Sequence, residues 1–142
     1  MIILGVIHLK GLPGSPSNKL NLEEITELAQ NDIDNLSKAG VNGIIVENFG
    51  DVPFVKNDVS KRTVASLTSV IQNLNIDSKL KLGVNVLRND GIAALSIAEA
   101  TNADFVRINV LNNVMMFTDQ GIIEGEANKI AQFNKSLNKD IE

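Results

Sequence analysis

The chain has 142 residues, and its mixture of 44% hydrophobic and 21% charged residues is typical of one globular domain rather than a disordered segment. Thirteen basic and seventeen acidic residues give a net charge of −4, which argues against a nucleic-acid partner because phosphate binding requires a clustered positive surface. The absence of cysteine excludes disulfides, iron–sulfur clusters and thiolate zinc sites from this chain.

The first strand–helix unit begins with an apolar run at residues 2–7, which is typical of a strand buried on both faces of a parallel sheet. A loop rich in glycine and proline follows as far as Asn21. Asn21 and Glu24 have the spacing of a capping box, so we expect a helix to begin there and to end at Gly40 in a left-handed cap. The expected apolar face of this helix consists of Ile25, Leu28, Ile33 and Leu36.

Two further units follow the same plan. The second strand is predicted at residues 43–46, and Ser60 is the expected cap of the helix after it. The third strand is predicted at 82–87, and we expect the polar residues at 88–90 to cap a short helix at 91–100. The inner face of the second helix is expected to consist of Val64, Leu67, Ile71 and Leu74.

The fourth unit starts with a predicted strand at residues 104–110. The apolar residues 115–117 are expected to serve packing, and residues 119–121 form a loop that precedes a last helix. The expected inner face of that helix consists of Ile123, Ala127, Ile130 and Leu137.

Alternating buried strands and helices predict an α/β fold with a parallel sheet. The glycine and proline residues at 11–14 match neither a dinucleotide-binding fingerprint nor a P-loop, which disfavours an open nucleotide-binding sheet. In a (β/α)8 TIM-type barrel the active site is built from residues at the carboxyl ends of several strands. In this chain, seven polar residues lie within the predicted strands or just past their carboxyl ends: His8, Glu47, Asn48, Asn85, Arg88, Arg107 and Asn109. The barrel is therefore the favoured fold.

Four motifs in the chain resemble the BtpA family, which includes the SgcQ-like proteins. They comprise residues 5–16, 43–51, 83–90 and 119–125, and together they span almost the whole chain. The resemblance implies a TIM-type barrel related to phosphate-binding barrels, with residues 1–142 as the N-terminal half of a single domain. The family's namesake acts in photosystem I biogenesis in cyanobacteria, but members also occur in organisms that do not photosynthesise, so the resemblance does not imply that role for every member.

The chain supplies only four of the eight units of such a barrel, which usually needs about 250 residues. We expect either a truncated sequence, a half barrel completed by another chain, or a stable open half. The open half is the least favoured, because its unpaired sheet edges and bare strand faces would promote aggregation. The phosphate site common in these barrels follows the seventh and eighth strands and would lie outside this chain.

His8 and Glu47 are the predicted catalytic residues. His8 is the single histidine, and histidine can take up or release a proton near neutral pH. Glu47 follows the buried second strand, where a carboxylate needs a partner or a ligand. The alternatives are a loop histidine bonded to backbone and a structural ion pair between Glu47 and Arg107 or Arg88.

The predicted substrate-binding residues are Asn85, Arg107, Asn109 and Asp119. Asn85 interrupts an apolar strand, and a buried amide requires hydrogen-bond partners. Arg107 and Asn109 share one strand face, and the guanidinium of Arg107 suits a carboxylate or a phosphate. Asp119 lies in a loop after a strand, where chemistry is common in barrels, although it also has the position of a helix cap.

No metal is predicted. The carboxylates of Glu47, Asp51, Asp90 and Asp119 are hard oxygen ligands of the kind that magnesium prefers, but their spacing is not diagnostic, and a single histidine without cysteine disfavours zinc. The cofactor is left open.

The leading hypothesis is an enzyme, or an enzyme-derived barrel, that binds a small polar metabolite of the sugar phosphate or nucleoside type. The alternatives are a non-catalytic biogenesis factor for a membrane complex and an inactive fragment. No apolar run approaches the ~18 residues that cross a bilayer, and no signal-peptide pattern is present, so we expect a cytoplasmic protein. The expected partners are a small-molecule ligand and either a second copy or a missing C-terminal half barrel.

Overall fold

The computed structural model describes residues 1–112 and 115–142 and confirms the α/β class. The elements, in chain order, are β1 (Leu4–His8), α1 (Leu22–Lys38), β2 (Gly43–Glu47), α2 (Lys61–Gln72), β3 (Lys81–Asn85), α3 (Gly91–Thr101), β4 (Phe105–Arg107), β5 (Met115–Thr118), β6 (Gly121–Glu124) and α4 (Ala127–Asn134). None of the helices in these ranges is both long and apolar enough to cross a membrane.

Strands β1 to β4 form one parallel sheet in sequential order, and β5 and β6 form a separate antiparallel hairpin. A sequential order means that successive crossovers of one hand place their helices on the same face of the sheet. This arrangement is consistent with the first four units of a TIM-type barrel and differs from a doubly wound sheet, in which the order reverses. The sheet formed by the described residues is open, so they close no barrel.

The two faces of the sheet differ in burial because strand side chains alternate. Ile7, Ile44, Val46 and Val84 are fully buried, and they form one core cluster with residues of the helices. On the opposite face of β1, the side chains of Leu4, Val6 and His8 are exposed to solvent. The second face is the one that would line the interior of a barrel.

The predicted helix caps are confirmed. The side chains of Asn21 and Glu24 form a reciprocal capping box at the start of α1, and Gly40 follows its end with φ +79°. Ser60 accepts the hydrogen bond that caps α2, and Asp90 does so for α3. These caps satisfy backbone N–H groups that have no partner within the helix.

The strand boundaries differ from the prediction by a few residues. β1 and β3 begin and end one or two residues away from the apolar runs, and β4 spans three residues instead of seven. Ile25 and Ile33 are buried on the inner face of α1 as predicted, whereas Leu28 is exposed and the neighbouring Ala29 is buried.

The largest correction concerns residues 115–124, where the structure has the β5–β6 hairpin rather than a loop before a helix. Ile123 is buried in β6, α4 begins later at Ala127, and Leu137 lies beyond the end of α4. Met115, Met116 and Phe117 are exposed, so the prediction that they serve packing is wrong for the described residues.

The outer edge of β4 is occupied at one point by the last residue of the chain. The N–H of Glu142 donates to the carbonyl of Asp104, and the N–H of Val106 donates to the carbonyl of Glu142. This is the hydrogen-bond pattern of a parallel strand pair, so the edge of β4 accepts a fifth parallel strand at this position.

Candidate functional site

Four of the predicted site residues occupy one row across the parallel sheet, which we call the polar row: His8, Glu47, Asn85 and Arg107. The strand register pairs His8 with Glu47, Glu47 with Asn85, and Asn85 with Arg107, and each residue is the last of its strand. Register partners project from the same face, so these side chains converge at the carboxyl end of the sheet.

Glu47 is the centre of the polar row, and only 4% of its side chain is exposed. Its Oε1 lies 3.0 Å from Nε2 of His8, and its Oε2 accepts a hydrogen bond of 3.0 Å from Nδ2 of Asn85. The NH1 group of Arg107 lies 3.5 Å from the same Oε2. A buried carboxylate is costly unless it has such partners, and Glu47 contacts a cation, an amide donor and an imidazole.

His8 is held between a carboxylate and an aromatic ring, while 53% of its side chain remains exposed. Its ring stacks on Phe49 with 4.3 Å between the centroids and 19° between the planes. A nitrogen lone pair facing the Glu47 carboxylate would be repelled, so the neutral ring carries its proton on Nε2. The lone pair then lies on Nδ1, which is the atom able to accept a proton from a ligand.

Asn85 connects the two ends of the site. Its Nδ2 also donates to Oδ1 of Asn109 at 3.1 Å, so one amide group bridges Glu47 and Asn109. The side chain of Arg107 is 51% exposed, so part of its planar donor set faces solvent beside these groups. The predicted shared face of Arg107 and Asn109 therefore brings both residues to the polar row.

Asp119 lies apart from the polar row. It occupies the turn of the β5–β6 hairpin, its side chain is 70% exposed, and its nearest cation is Arg88, with 3.7 Å between Oδ1 and NH2. The expectation that it precedes a helix as a cap is wrong because the hairpin occupies this segment. Nε of Arg88 also donates to Gln120 in the same turn.

Several polar residues near the strand ends maintain the backbone. Oδ1 of Asn48 accepts from the N–H of Leu87 at 2.7 Å, and Asn89 forms two hydrogen bonds with the backbone of Val110. Asp90 caps α3 and also accepts from the N–H of Val59. The predicted capping role of residues 88–90 is thus confirmed for Asp90.

A cleft of about 140 Å³ lies between the loops that follow β1 and β2, and its lining includes Asn48, the residue directly after Glu47. Its polar lining includes Asp51, which accepts hydrogen bonds from the N–H of Leu12 and the amide of Asn48. Burial raises the pKa of Asp51 above its usual value, and these two hydrogen bonds act in the opposite direction. Because Asp51 already supports the loop, the cleft is a weaker candidate than the polar row.

Phe49 is a site residue to which the sequence pattern assigned no role. It stacks on His8, packs edge-on against Phe54 at 6.4 Å between centroids, and is itself half-exposed. The guanidinium carbon of Arg88 lies 4.8 Å from the centroid of the Phe54 ring. The available signal was the position of Phe49, an aromatic residue two positions after the strand-end carboxylate of Glu47.

Within residues 1–112 and 115–142, no three histidine, aspartate or glutamate side chains form a group that could hold a metal ion. Among the four carboxylates considered in the sequence, Asp51 and Asp90 accept hydrogen bonds from backbone N–H groups, and Glu47 is paired within the polar row.

Comparison with known proteins gives a consistent result over the whole chain. The family model described as "BtpA family" matches residues 1–142. An uncharacterized protein from Thermococcus kodakarensis is 50% identical over 139 residues, which is 98% of this chain. The photosystem I biogenesis protein BtpA from Synechocystis is 42% identical over 139 residues, and an uncharacterized mitochondrial protein from Caenorhabditis elegans is 33% identical over 143 residues, which is 96% of this chain.

The chain spans about half the length of the curated relatives that it matches. It covers 52% of the Thermococcus protein, 48% of the Synechocystis protein and 50% of the Caenorhabditis protein. No solved structure matches the chain.

Proposed function

This chain belongs to the BtpA family, and we propose that its polar row forms part of the ligand site of a (β/α)8 TIM-type barrel. The proposed ligand is a small polar metabolite of the sugar phosphate or nucleoside type. The observation that carries the proposal is the buried carboxylate of Glu47, which contacts side chains from three other strands at the carboxyl end of the sheet. Barrel enzymes assemble their sites at this end and from several strands.

Each member of the site has a chemical role in this proposal. Nδ1 of His8 exchanges a proton with the ligand, and Glu47 orients the imidazole and balances its charge when it is protonated. Arg107 binds an anionic group, and the amides of Asn85 and Asn109 orient the polar part of the ligand. Asp119 lies in the hairpin turn, so the proposal does not depend on it.

The test uses the single histidine as a reporter. In an NMR titration with ribose 5-phosphate, adenosine or inorganic phosphate, we expect at least one probe to move the ring C–H signals of His8 saturably. The variants Arg107→Gln and Glu47→Gln should weaken that binding at least about tenfold, because each removes a charged hydrogen-bonding group.

The matched controls are Arg62→Gln and Glu23→Gln, which remove the same charges on α2 and α1 from residues that are not members of the polar row. They should bind like the parent chain. If every probe leaves the His8 signals unchanged, or if the controls lose binding as much as the site variants, the proposal is wrong.

A barrel also requires four further strand–helix units, supplied by a second copy or by another half. Light scattering after size exclusion separates these cases for the 15.3 kDa chain. A uniform species of about twice that mass supports two copies that close one barrel. A polydisperse sample indicates open sheet edges. The NMR titration with the same ligands is then carried out on a full-length relative.

A second candidate function is a biogenesis factor for a membrane complex, which is favoured by the 42% identity to the photosystem I biogenesis protein BtpA. Such a factor docks through a surface rather than through the polar row, and the exposed apolar side chains of the β5–β6 hairpin offer one. Under this hypothesis, Phe117→Ser abolishes recovery of the protein with membranes in a flotation assay, whereas Glu47→Gln has no effect.

A further inference from the structure

We propose that the open face of the His8 ring, backed by Phe49, is a subsite for a planar conjugated group, and that Arg107 binds an anionic substituent of the same ligand. The inference rests on the proposed function and narrows its substrate class. The ligand would be a planar ring joined to a carboxylate or phosphate, rather than a saturated sugar alone.

The first observation is the geometry of the stack. His8 and Phe49 are nearly parallel, with 4.3 Å between centroids, so each ring covers one face of the other. Because 53% of the His8 side chain remains exposed, its second face is open to a ligand. A third planar group on that face would continue the stack in a geometry that aromatic rings favour.

The second observation is that the stack has a rigid support. Phe54 packs against Phe49 edge-on, with 62° between the ring planes, and Arg88 lies over the Phe54 ring. Gln120 accepts a hydrogen bond from Arg88, so the turn of the β5–β6 hairpin fixes the guanidinium that lies over Phe54. Phe49 is itself half-exposed, so the stack that it forms with His8 borders solvent.

The third observation is the position of the cation. Arg107 and His8 contact opposite oxygens of the same Glu47 carboxylate, so the guanidinium and the imidazole lie within the length of one small ligand. Half of the Arg107 side chain is exposed, so its planar guanidinium has donors that are free to pair with an anionic group of the ligand while it stays near Glu47.

Three simple probes separate planarity from charge. Benzoate is planar and anionic, cyclohexanecarboxylate is anionic without a planar ring, and benzamide is planar without the charge. We expect benzoate to bind about 3- to 10-fold more tightly than cyclohexanecarboxylate, which is the usual value of one aromatic stacking contact. The preference for benzoate over benzamide should reach about tenfold, because a charged hydrogen-bonding pair is worth more than a neutral one.

Binding is again measured from the ring C–H signals of His8, which should move upfield when a ring stacks on the open face. Phe49→Leu should reduce the preference for benzoate over cyclohexanecarboxylate to less than about twofold, since the imidazole loses its aromatic support. Arg107→Gln should remove the preference for benzoate over benzamide and leave the planarity preference in place. Phe117→Leu, which changes an exposed phenylalanine of the hairpin, is the matched control and should bind like the parent chain.

Equal binding of benzoate and cyclohexanecarboxylate overturns the inference, as does an unchanged planarity preference in a folded Phe49→Leu protein. If ribose 5-phosphate binds through Arg107 while the planar probes show no preference, the proposed function stands and this inference alone fails. If neither set of probes moves the His8 signals, both fail.

Discussion

Removal of the positive charge at Arg107 tests whether this residue compensates the buried negative charge of Glu47. In Arg107→Gln the buried carboxylate of Glu47 keeps the hydrogen bond from Asn85 but loses its cation. In Glu47→Gln the carbonyl still accepts from Asn85, and both the attraction to Arg107 and the cost of burying a charge disappear. The two substitutions are therefore expected to affect stability unequally.

The magnitude follows from the separation of 3.5 Å between NH1 of Arg107 and Oε2 of Glu47. At an effective dielectric constant of about 20, Coulomb's law gives an upper limit of about 5 kcal/mol. Half of the Arg107 side chain is exposed, so water and salt reduce this attraction, and we expect Arg107→Gln to cost about 1–2 kcal/mol. Glu47→Gln should remain within about 1 kcal/mol of the parent chain, and the double variant should match it.

The assay is urea unfolding at pH 7 of the parent chain, both single variants and the double variant, at low salt and at 0.5 M NaCl. The double-mutant cycle isolates the coupling between the two side chains, which we expect to equal the cost of Arg107→Gln, about 1–2 kcal/mol, and to be smaller at high salt. If Arg107→Gln is as stable as the parent chain at low salt, Arg107 does not compensate the charge of Glu47, and the electrostatic description of the site is wrong.

The remaining predictions concern the supports of the site and the pH dependence of stability. Asn89→Ala should cost about 2–3 kcal/mol in urea unfolding, because it removes both hydrogen bonds to the buried backbone of Val110. Asn21→Ala should cost about 1 kcal/mol and shorten α1, which hydrogen exchange at the first turn would detect. Burial raises the pKa of Asp104, but hydrogen bonds, chiefly from Lys81, outweigh it and hold that pKa below 3.8. Asp104 therefore stabilises the fold above pH 3.8, and this contribution is lost as the pH falls through the pKa of Asp104 in the folded state. In Asp104→Asn the free energy of unfolding should therefore decrease less steeply on acidification than in the parent chain.

The first three strand–helix units were predictable because their signals are local. Apolar runs mark strands buried on both faces, and the side chains of Asn21, Ser60 and Asp90 provide caps that can be recognised from spacing alone. The β5–β6 hairpin was missed because its two-residue turn is Asp119–Gln120 and the glycine, Gly121, comes one position later. A turn of this length usually has glycine or asparagine at its central positions, so the sequence lacks the recognisable pattern.

The polar row was predictable as a set of residues, and one of its contacts, the pairing of Glu47 with Arg107, was among the alternatives that the sequence left open; its other contacts were not predicted. Each member ends an apolar strand, and parallel strands bring their carboxyl ends to one edge of the sheet. Which side chain contacts Glu47 depends on the register of β1 to β4, and a sequence does not contain that register. The stack of Phe49 on His8 lies in a loop without periodicity, so no pattern of spacing predicts it.

The register also shows that packing alone does not account for Glu47. Strand β2 is buried at every position, so a shift of one residue would place Val46 in the polar row and direct the Glu47 carboxylate into the apolar core. In the observed register the carboxylate is accommodated only through Asn85, His8 and Arg107. An apolar side chain of similar size would stabilise the same strand without these partners, since buried ion pairs are often replaced by hydrophobic residues at no loss of stability. A buried charge whose two basic partners both remain half-exposed is better suited to meeting a ligand than to holding the sheet together.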